Sequence, residues 1–137
     1  MIRDEIVLEA TIENLSEVVN FFNNILEKTG CSVKVQREIE ISVEEIYINI
    51  AKYAYQPETG EVKIRAEVTD DPAELTITFI DSGVHYDPLK KKDPDVTESL
   101  EKRKIGGLGI YLMKQSMDDA SYMYTGGKNI LIMKKSL

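Results

Sequence analysis

The chain is short of what metal-bound, disulfide-stapled and membrane-spanning proteins need. It holds one cysteine, Cys31, which excludes an internal disulfide framework and any multi-cysteine metal site. His85 is its only histidine. A zinc site therefore lacks soft ligands, and a Ser-His-Asp or Cys-His catalytic pair would have to run through that one residue. No apolar stretch approaches the roughly 20 residues of a membrane span. The opening Met1-Ile2-Arg3-Asp4-Glu5 is acidic where a secretory leader needs an apolar run. Positive charge is outnumbered: 17 Lys and Arg against 24 Asp and Glu give a net charge of -7. That excess disfavours a nucleic-acid backbone or an anionic lipid surface and leaves a protein partner open. The expectation is a protein of the reducing cytoplasm, with no nucleic-acid and no membrane partner.

What is present fits one globular domain over residues 1–137, at 42% hydrophobic and 30% charged residues. No repeat, low-complexity tract or Gly/Ser-rich linker divides it. Ile6, Leu8, Ala10 and Ile12 alternate with polar residues and predict a strand over 5–12. Asn14 and Glu17 have capping-box spacing, and the apolar residues from Leu15 to Leu26 recur at helical period up to Gly30. A longer helix is predicted over about 35–55, closed by Pro57 and Gly60. Val62 to Val68 and Leu75 to Phe79 alternate around Asp70-Asp71-Pro72, as an antiparallel hairpin does. Residues 88–105 carry almost no apolar anchor and read as a functional loop or disorder. A helix from Gly106 to about Met117 and a hairpin turning at Gly126-Gly127 complete the chain. This order predicts an α+β fold: a two-layer sandwich with a mostly antiparallel sheet and the helices on one face.

Three places break the structural pattern. Glu45 and Asn49 lie one turn apart on a polar stripe of the long helix that also carries Glu38 and Lys52. The stripe reads either as a solvated face or as a site for a hard cation or a nucleophile. Glu44 points about 100° away from Glu45 around the same helix. Asp81 has the parity of Leu75, Ile77 and Phe79, so its carboxylate points where a core residue belongs, unless the strand stops at Ile80. An amine-bearing base such as adenine would supply the donor it lacks, and Gly83 lets the backbone approach a planar ligand. Gly106-Gly107-Leu108-Gly109 opens a helix, so it reads either as a hinge or as an anion cradle of backbone N–H groups. Cation site, base acceptor and phosphate cradle follow in that order, which describes a nucleotide pocket without a P-loop.

The residues that carry those features also carry a family resemblance. Residues 45–55, Glu45 to Tyr55, resemble the N box of the GHKL ATPases, which share the Bergerat fold. Residues 81–88, Asp81-Ser82-Gly83-Val84-His85-Tyr86-Asp87-Pro88, resemble their G1 box with Tyr86 in place of Phe, and residues 106–110 resemble the G2 box. Within that group the short chain is most similar to the anti-sigma-factor serine kinases, the SpoIIAB and RsbW type. The resemblance implies ATP and Mg2+ as cofactors, with Asn49 as the magnesium ligand and Glu45 as the base that takes the serine proton. It implies Asp81 as the adenine contact with Gly83 beside it, and Gly107 and Gly109 as phosphate contacts. Lys52, Tyr86, Gly106 and Leu108 complete the nucleotide-binding set, and residues 88–105 form the ATP lid. Two positions depart from the family pattern: Tyr53 stands where a histidine is frequent, and Lys128-Asn129 stands where a threonine is usual. The implied function is a serine/threonine-protein kinase that phosphorylates a STAS-domain anti-sigma-factor antagonist and sequesters a sigma factor or similar regulator. The alternative is an ATP-gated binding module of the same fold without significant kinase activity. A detached histidine-kinase catalytic domain ranks below both, and a homodimer is left open. His85 reads as an exposed loop residue, the Lys102-Arg103-Lys104 run as solvated charge, and Tyr111, Met113, Met117 and Cys31 as packing.

Overall fold

The computed structural model describes residues 1–90 and 108–137. Five strands form one sheet: β1 (Ile2–Glu9), β2 (Glu61–Thr69), β3 (Glu74–Asp81), β4 (Asp119–Thr125) and β5 (Lys128–Ser136). Their spatial order is β1-β2-β3-β5-β4, and every neighbouring pair is antiparallel. The period-2 alternation decides which face is buried. Val62, Ile64, Ala66 and Val68 of β2, Leu75, Ile77 and Phe79 of β3, and Leu131 and Met133 of β5 all point into the core. The opposite parity carries residues such as Glu61, Arg65, Thr76 and Lys134.

Three helices cover the apolar face: α1 (Leu15–Thr29), α2 (Val33–Asn49) and α3 (Leu108–Ser116). Val18, Phe22, Ile25 and Leu26 of α1, Ile39, Val43 and Ile46 of α2, and Ile110 and Met113 of α3 are buried in one cluster with the strand residues. Each such side chain contributes about 1.5–3 kcal/mol through its removal from water. The α+β expectation of an antiparallel sheet under helices therefore holds. Lys135 ties the layers together: its Nζ donates to the Ser116 carbonyl at 2.6 Å and to Glu38 Oε2 at 3.4 Å. Glu38 is thus a structural partner rather than part of a free polar stripe.

Local details differ from the sequence reading. The first strand runs over 2–9 rather than 5–12, because its partner β2 begins only at Glu61, opposite Glu9. Ile12 consequently leaves the sheet for a short 3-10 turn and is 46% exposed. No capping box forms at α1: the Asn14 side chain donates to the Glu9 carbonyl at 2.8 Å and accepts nothing from the helix. The second helix starts two residues earlier than expected, at Val33, where Ser32 Oγ accepts from the Val35 N–H at 3.2 Å.

The decisive difference is at the end of α2. Regular α-helix stops at Asn49, and Ile50–Ala54 form a π turn. The wider i→i+5 winding rotates the apolar stripe away from the core, so Tyr53 is 63% exposed rather than buried. Tyr55 closes the turn: its hydroxyl donates to the Glu61 carbonyl at 2.6 Å and accepts from the Ser82 N–H at 2.8 Å. That places the end of α2 against the segment that follows β3.

Candidate nucleotide site

A cavity of about 420 Å3 opens where the π turn meets the ends of β3 and β5. Ile46 and Ile50 line it from the helix side, and Ala54, Phe79 and Leu131 are among the residues that add apolar surface. His85, Tyr86 and Tyr122 also line it, and the His85 ring stacks on Tyr124 at 4.1 Å between centroids and 19° between planes. A cavity of this size with apolar walls and a few polar groups suits a planar heterocycle.

Asp81 is the carboxylate in it. β3 extends through Asp81, which pairs across the sheet with Asn129 on β5 and is 7% exposed. The inward parity read from the sequence is therefore real, and the turn reading is not. Its Oδ1 accepts from the Gly83 N–H at 2.9 Å and from Asn129 Nδ2 at 3.0 Å. Burial raises the pKa of this carboxyl, while those two donors oppose the rise. Among the described residues Oδ2 has no donor, so it is the oxygen left for a ligand.

Gly83 does a different job from the one expected. It does not line the cavity; a Cβ there would lie 2.4 Å from the Ala54 carbonyl oxygen. The missing side chain lets the segment after β3 press on the π turn, where Val84 N–H donates to that same carbonyl at 2.8 Å. The glycine thus shapes the wall of the cavity from outside it.

Asn49 lines the cavity about one helical turn beyond Glu45, and its Nδ2 is buried with no hydrogen-bond partner among the described residues. A buried N–H donor left unpaired costs about 1–3 kcal/mol, a cost that an acceptor atom on a ligand would offset. No group of three or more His, Cys, Asp or Glu able to hold a metal occurs among the described residues. A divalent cation brought in with a phosphorylated ligand would find the Asn49 amide oxygen as its side-chain donor at this end of the cavity.

Glu45 lies outside the cavity lining, against the first turn of α3. A Cβ on Gly109 would lie 2.1 Å from Glu45 Cδ and 2.2 Å from its Oε2. The glycine therefore makes room for the carboxylate against the first described turn of α3. Leu108 begins that helix and is 39% exposed. Tyr86 lines the cavity, whereas Lys52 is exposed on the π turn and outside the lining. Gly106, Gly107 and the lid beyond Lys90 lie outside the described residues.

Sequence reasoning underrated Asn129 and the rings. Asn129 carries the signal that singled out Asp81: a polar residue at the parity of Leu131 and Met133. No period marks Tyr122 or His85 as cavity walls, because both are brought there by the β4–β5 hairpin and the segment after β3. His85 is exposed, as expected, yet it is part of the site rather than a bystander.

The histidine kinase-like ATPase domain family matches residues 8–135. Serine-protein kinase RsbW of Listeria monocytogenes is 29% identical over 117 residues, covering 82% of this chain and 73% of the relative. Serine-protein kinase RsbW of Bacillus cereus is 27% identical over 134 residues, covering 95% and 82%. Among solved structures, the RsbU and RsbW domains of Rv1364c from Mycobacterium tuberculosis superpose with a TM-score of 0.70 at 16% identity. That match covers 100% of this chain and 33% of the longer one, and it shows the shared fold. No helix among the described residues is long and apolar enough to cross a membrane.

Proposed function

We propose, on the premise that the chain belongs to the histidine kinase-like ATPase domain family and is of the RsbW-like, GHKL type, that it is an ATP-dependent serine/threonine-protein kinase. Its substrate is a STAS-domain anti-sigma-factor antagonist, and it sequesters a sigma factor when not engaged with that antagonist. The observation that carries this reading is that Asn49 and the buried Asp81 carboxylate line one apolar cavity.

In this reading Asp81 Oδ2 accepts from the exocyclic amine of adenine, and the walls of Ile50, Phe79 and Leu131 exclude water from the ring faces. The Asn49 amide oxygen would hold Mg2+, and Gly109, with no side chain, would let a phosphate approach the N–H groups of the first turn of α3. Bound Mg·ATP supplies the phosphoryl group and its charge neutralisation. The chain supplies positioning, which is most of what phosphoryl transfer asks of a protein. A serine hydroxyl of the substrate gives its proton to Glu45 Oε2 as its oxygen bonds to the γ-phosphorus and the bond to the leaving ADP breaks. Glu45 suits that task because its carboxylate is held by the Gly109 gap near the phosphate end and away from the base.

Radiolabelled ATP and a purified STAS-domain protein test this. The intact chain should deposit phosphate on a serine, while Glu45→Ala should bind ATP in calorimetry and transfer none. ATP binding by the intact chain with no transfer would instead support a nucleotide-gated binding module. Loss of ATP binding in Glu45→Ala would remove the base assignment.

A further inference from the structure

Asn129 stands across the β3–β5 ladder from Asp81, a polar side chain among inward-facing apolar ones and 7% exposed. Both ends of its amide are engaged. Nδ2 donates to Asp81 Oδ1 at 3.0 Å, to the Val84 carbonyl at 3.0 Å and to the Gly83 carbonyl at 3.4 Å. Oδ1 accepts from the Tyr86 N–H at 3.2 Å and from the Tyr122 hydroxyl. The amide cannot turn over in this setting. Reversal would set its oxygen against a carboxylate and two carbonyls, and its nitrogen against a backbone N–H. The donor facing Asp81 is therefore fixed by groups drawn from β4 and from the segment after β3.

That fixed donor bears on what the cavity accepts. A buried carboxyl is pushed toward its neutral form, and donors on one oxygen restore the charged form. A carboxylate only accepts hydrogen bonds, so it pairs with an exocyclic amine and is repelled by an exocyclic carbonyl. A protonated carboxyl donates as well, and then pairs with either. Asn129 and the Gly83 N–H both bond Oδ1, which leaves Oδ2 as a pure acceptor.

We infer that Asn129 is the positioning residue that sets base selectivity, holding Asp81 as an ionised acceptor so that the cavity takes a 6-aminopurine nucleotide over a 6-oxopurine one. The inference rests on the adenine-nucleotide reading above. It goes beyond that reading by assigning selectivity to a residue that acts through its hydrogen bond to Asp81.

The test is calorimetric titration of the intact chain, Asn129→Leu and Asn129→Ser with ATP and with inosine triphosphate. Leucine keeps the volume without a donor, and the serine hydroxyl is too short to span the 3.0 Å contact made by the amide. The intact chain should prefer ATP. Each variant should lose about tenfold or more of that preference, the effect of one charge-assisted hydrogen bond, with inosine triphosphate binding unchanged or tighter. Weakening of both nucleotides by one common factor overturns the inference, because that is what a merely structural residue produces. An intact chain that binds neither nucleotide overturns the adenine reading itself. If Asn129→Leu fails to fold by circular dichroism, Asn129→Ser decides between the same outcomes.

Discussion

Replacing Gly83 with alanine tests the contact that closes the cavity wall. The backbone of Gly83 is outside the left-handed region, so alanine is tolerated there conformationally and the whole cost comes from contact. Its Cβ would lie 2.4 Å from the Ala54 carbonyl oxygen, 2.6 Å from Ala54 Cβ and 2.7 Å from Ala54 C. Carbon and oxygen separate to about 3.3 Å even in close weak contacts, so the segment must withdraw by about 1 Å. The neighbours are backbone atoms and cannot rotate aside. Overpacking of this kind costs about 1–3 kcal/mol. Withdrawal also breaks the Val84 N–H bond to the Ala54 carbonyl, for about 1 kcal/mol more. The reduced freedom of the unfolded chain returns about 0.4–1 kcal/mol. Gly83→Ala should therefore unfold in urea with a net loss of about 1–3 kcal/mol. Its affinity for ATP should fall too, because the Gly83 N–H that holds Asp81 at 2.9 Å moves with the segment. Adding Ala54→Gly removes only the Cβ contact and should recover only part of the loss. A single variant within about 0.5 kcal/mol of the parent would refute the close approach.

Asp81→Asn should separate stability from binding. Burial raises the Asp81 pKa in the folded state. The folded protein then binds more protons than the unfolded one above the ordinary carboxylate pKa, and stability falls as pH rises through that window. The amide variant removes this slope: it should be more stable than the parent at neutral pH by urea denaturation, and should fail to bind ATP. Tyr47→Phe should cost about 1–3 kcal/mol and leave ATP binding intact, since it orphans the buried Thr11 N–H; that hydroxyl accepts from Thr11 N–H at 3.1 Å and lies outside the cavity lining. Gly109→Ala places a methyl group against the end of the Glu45 side chain, which can swing away. Thermal stability should be unchanged or higher, since alanine suits a helix better by about 1 kcal/mol, while phosphate transfer to the STAS-domain protein should drop sharply.

The strands were legible because alternation is a strict period-2 signal and one face of this sheet is buried. The same logic exposed Asp81, whose parity contradicts its chemistry. Applied with equal weight at position 129 it would have found Asn129 as well. The π turn was not legible, because Ile50 to Ala54 continue a helical pattern and the change from i→i+4 to i→i+5 bonds is imposed by what packs on it. Gly83 was legible as a close approach but not as to what approaches: its partner is the Ala54 carbonyl, 29 positions earlier in the chain. Glu45 and Gly109 likewise meet only through the packing of α2 on α3. Boundaries failed where pairing partners set them, as at Glu9, whose strand ends because β2 begins opposite it.

Asp81 and Asn129 face each other as direct partners in one antiparallel ladder. A slip of a single residue between those two strands would send Asn129 to the outer surface along with Leu131 and Met133. The recognition chemistry and the alignment of the hydrophobic interior are consequently one and the same event. A folding error in that hairpin-less pairing, whose partners sit 48 positions apart, would disturb the hydrophobic interior and the Asp81–Asn129 contact together.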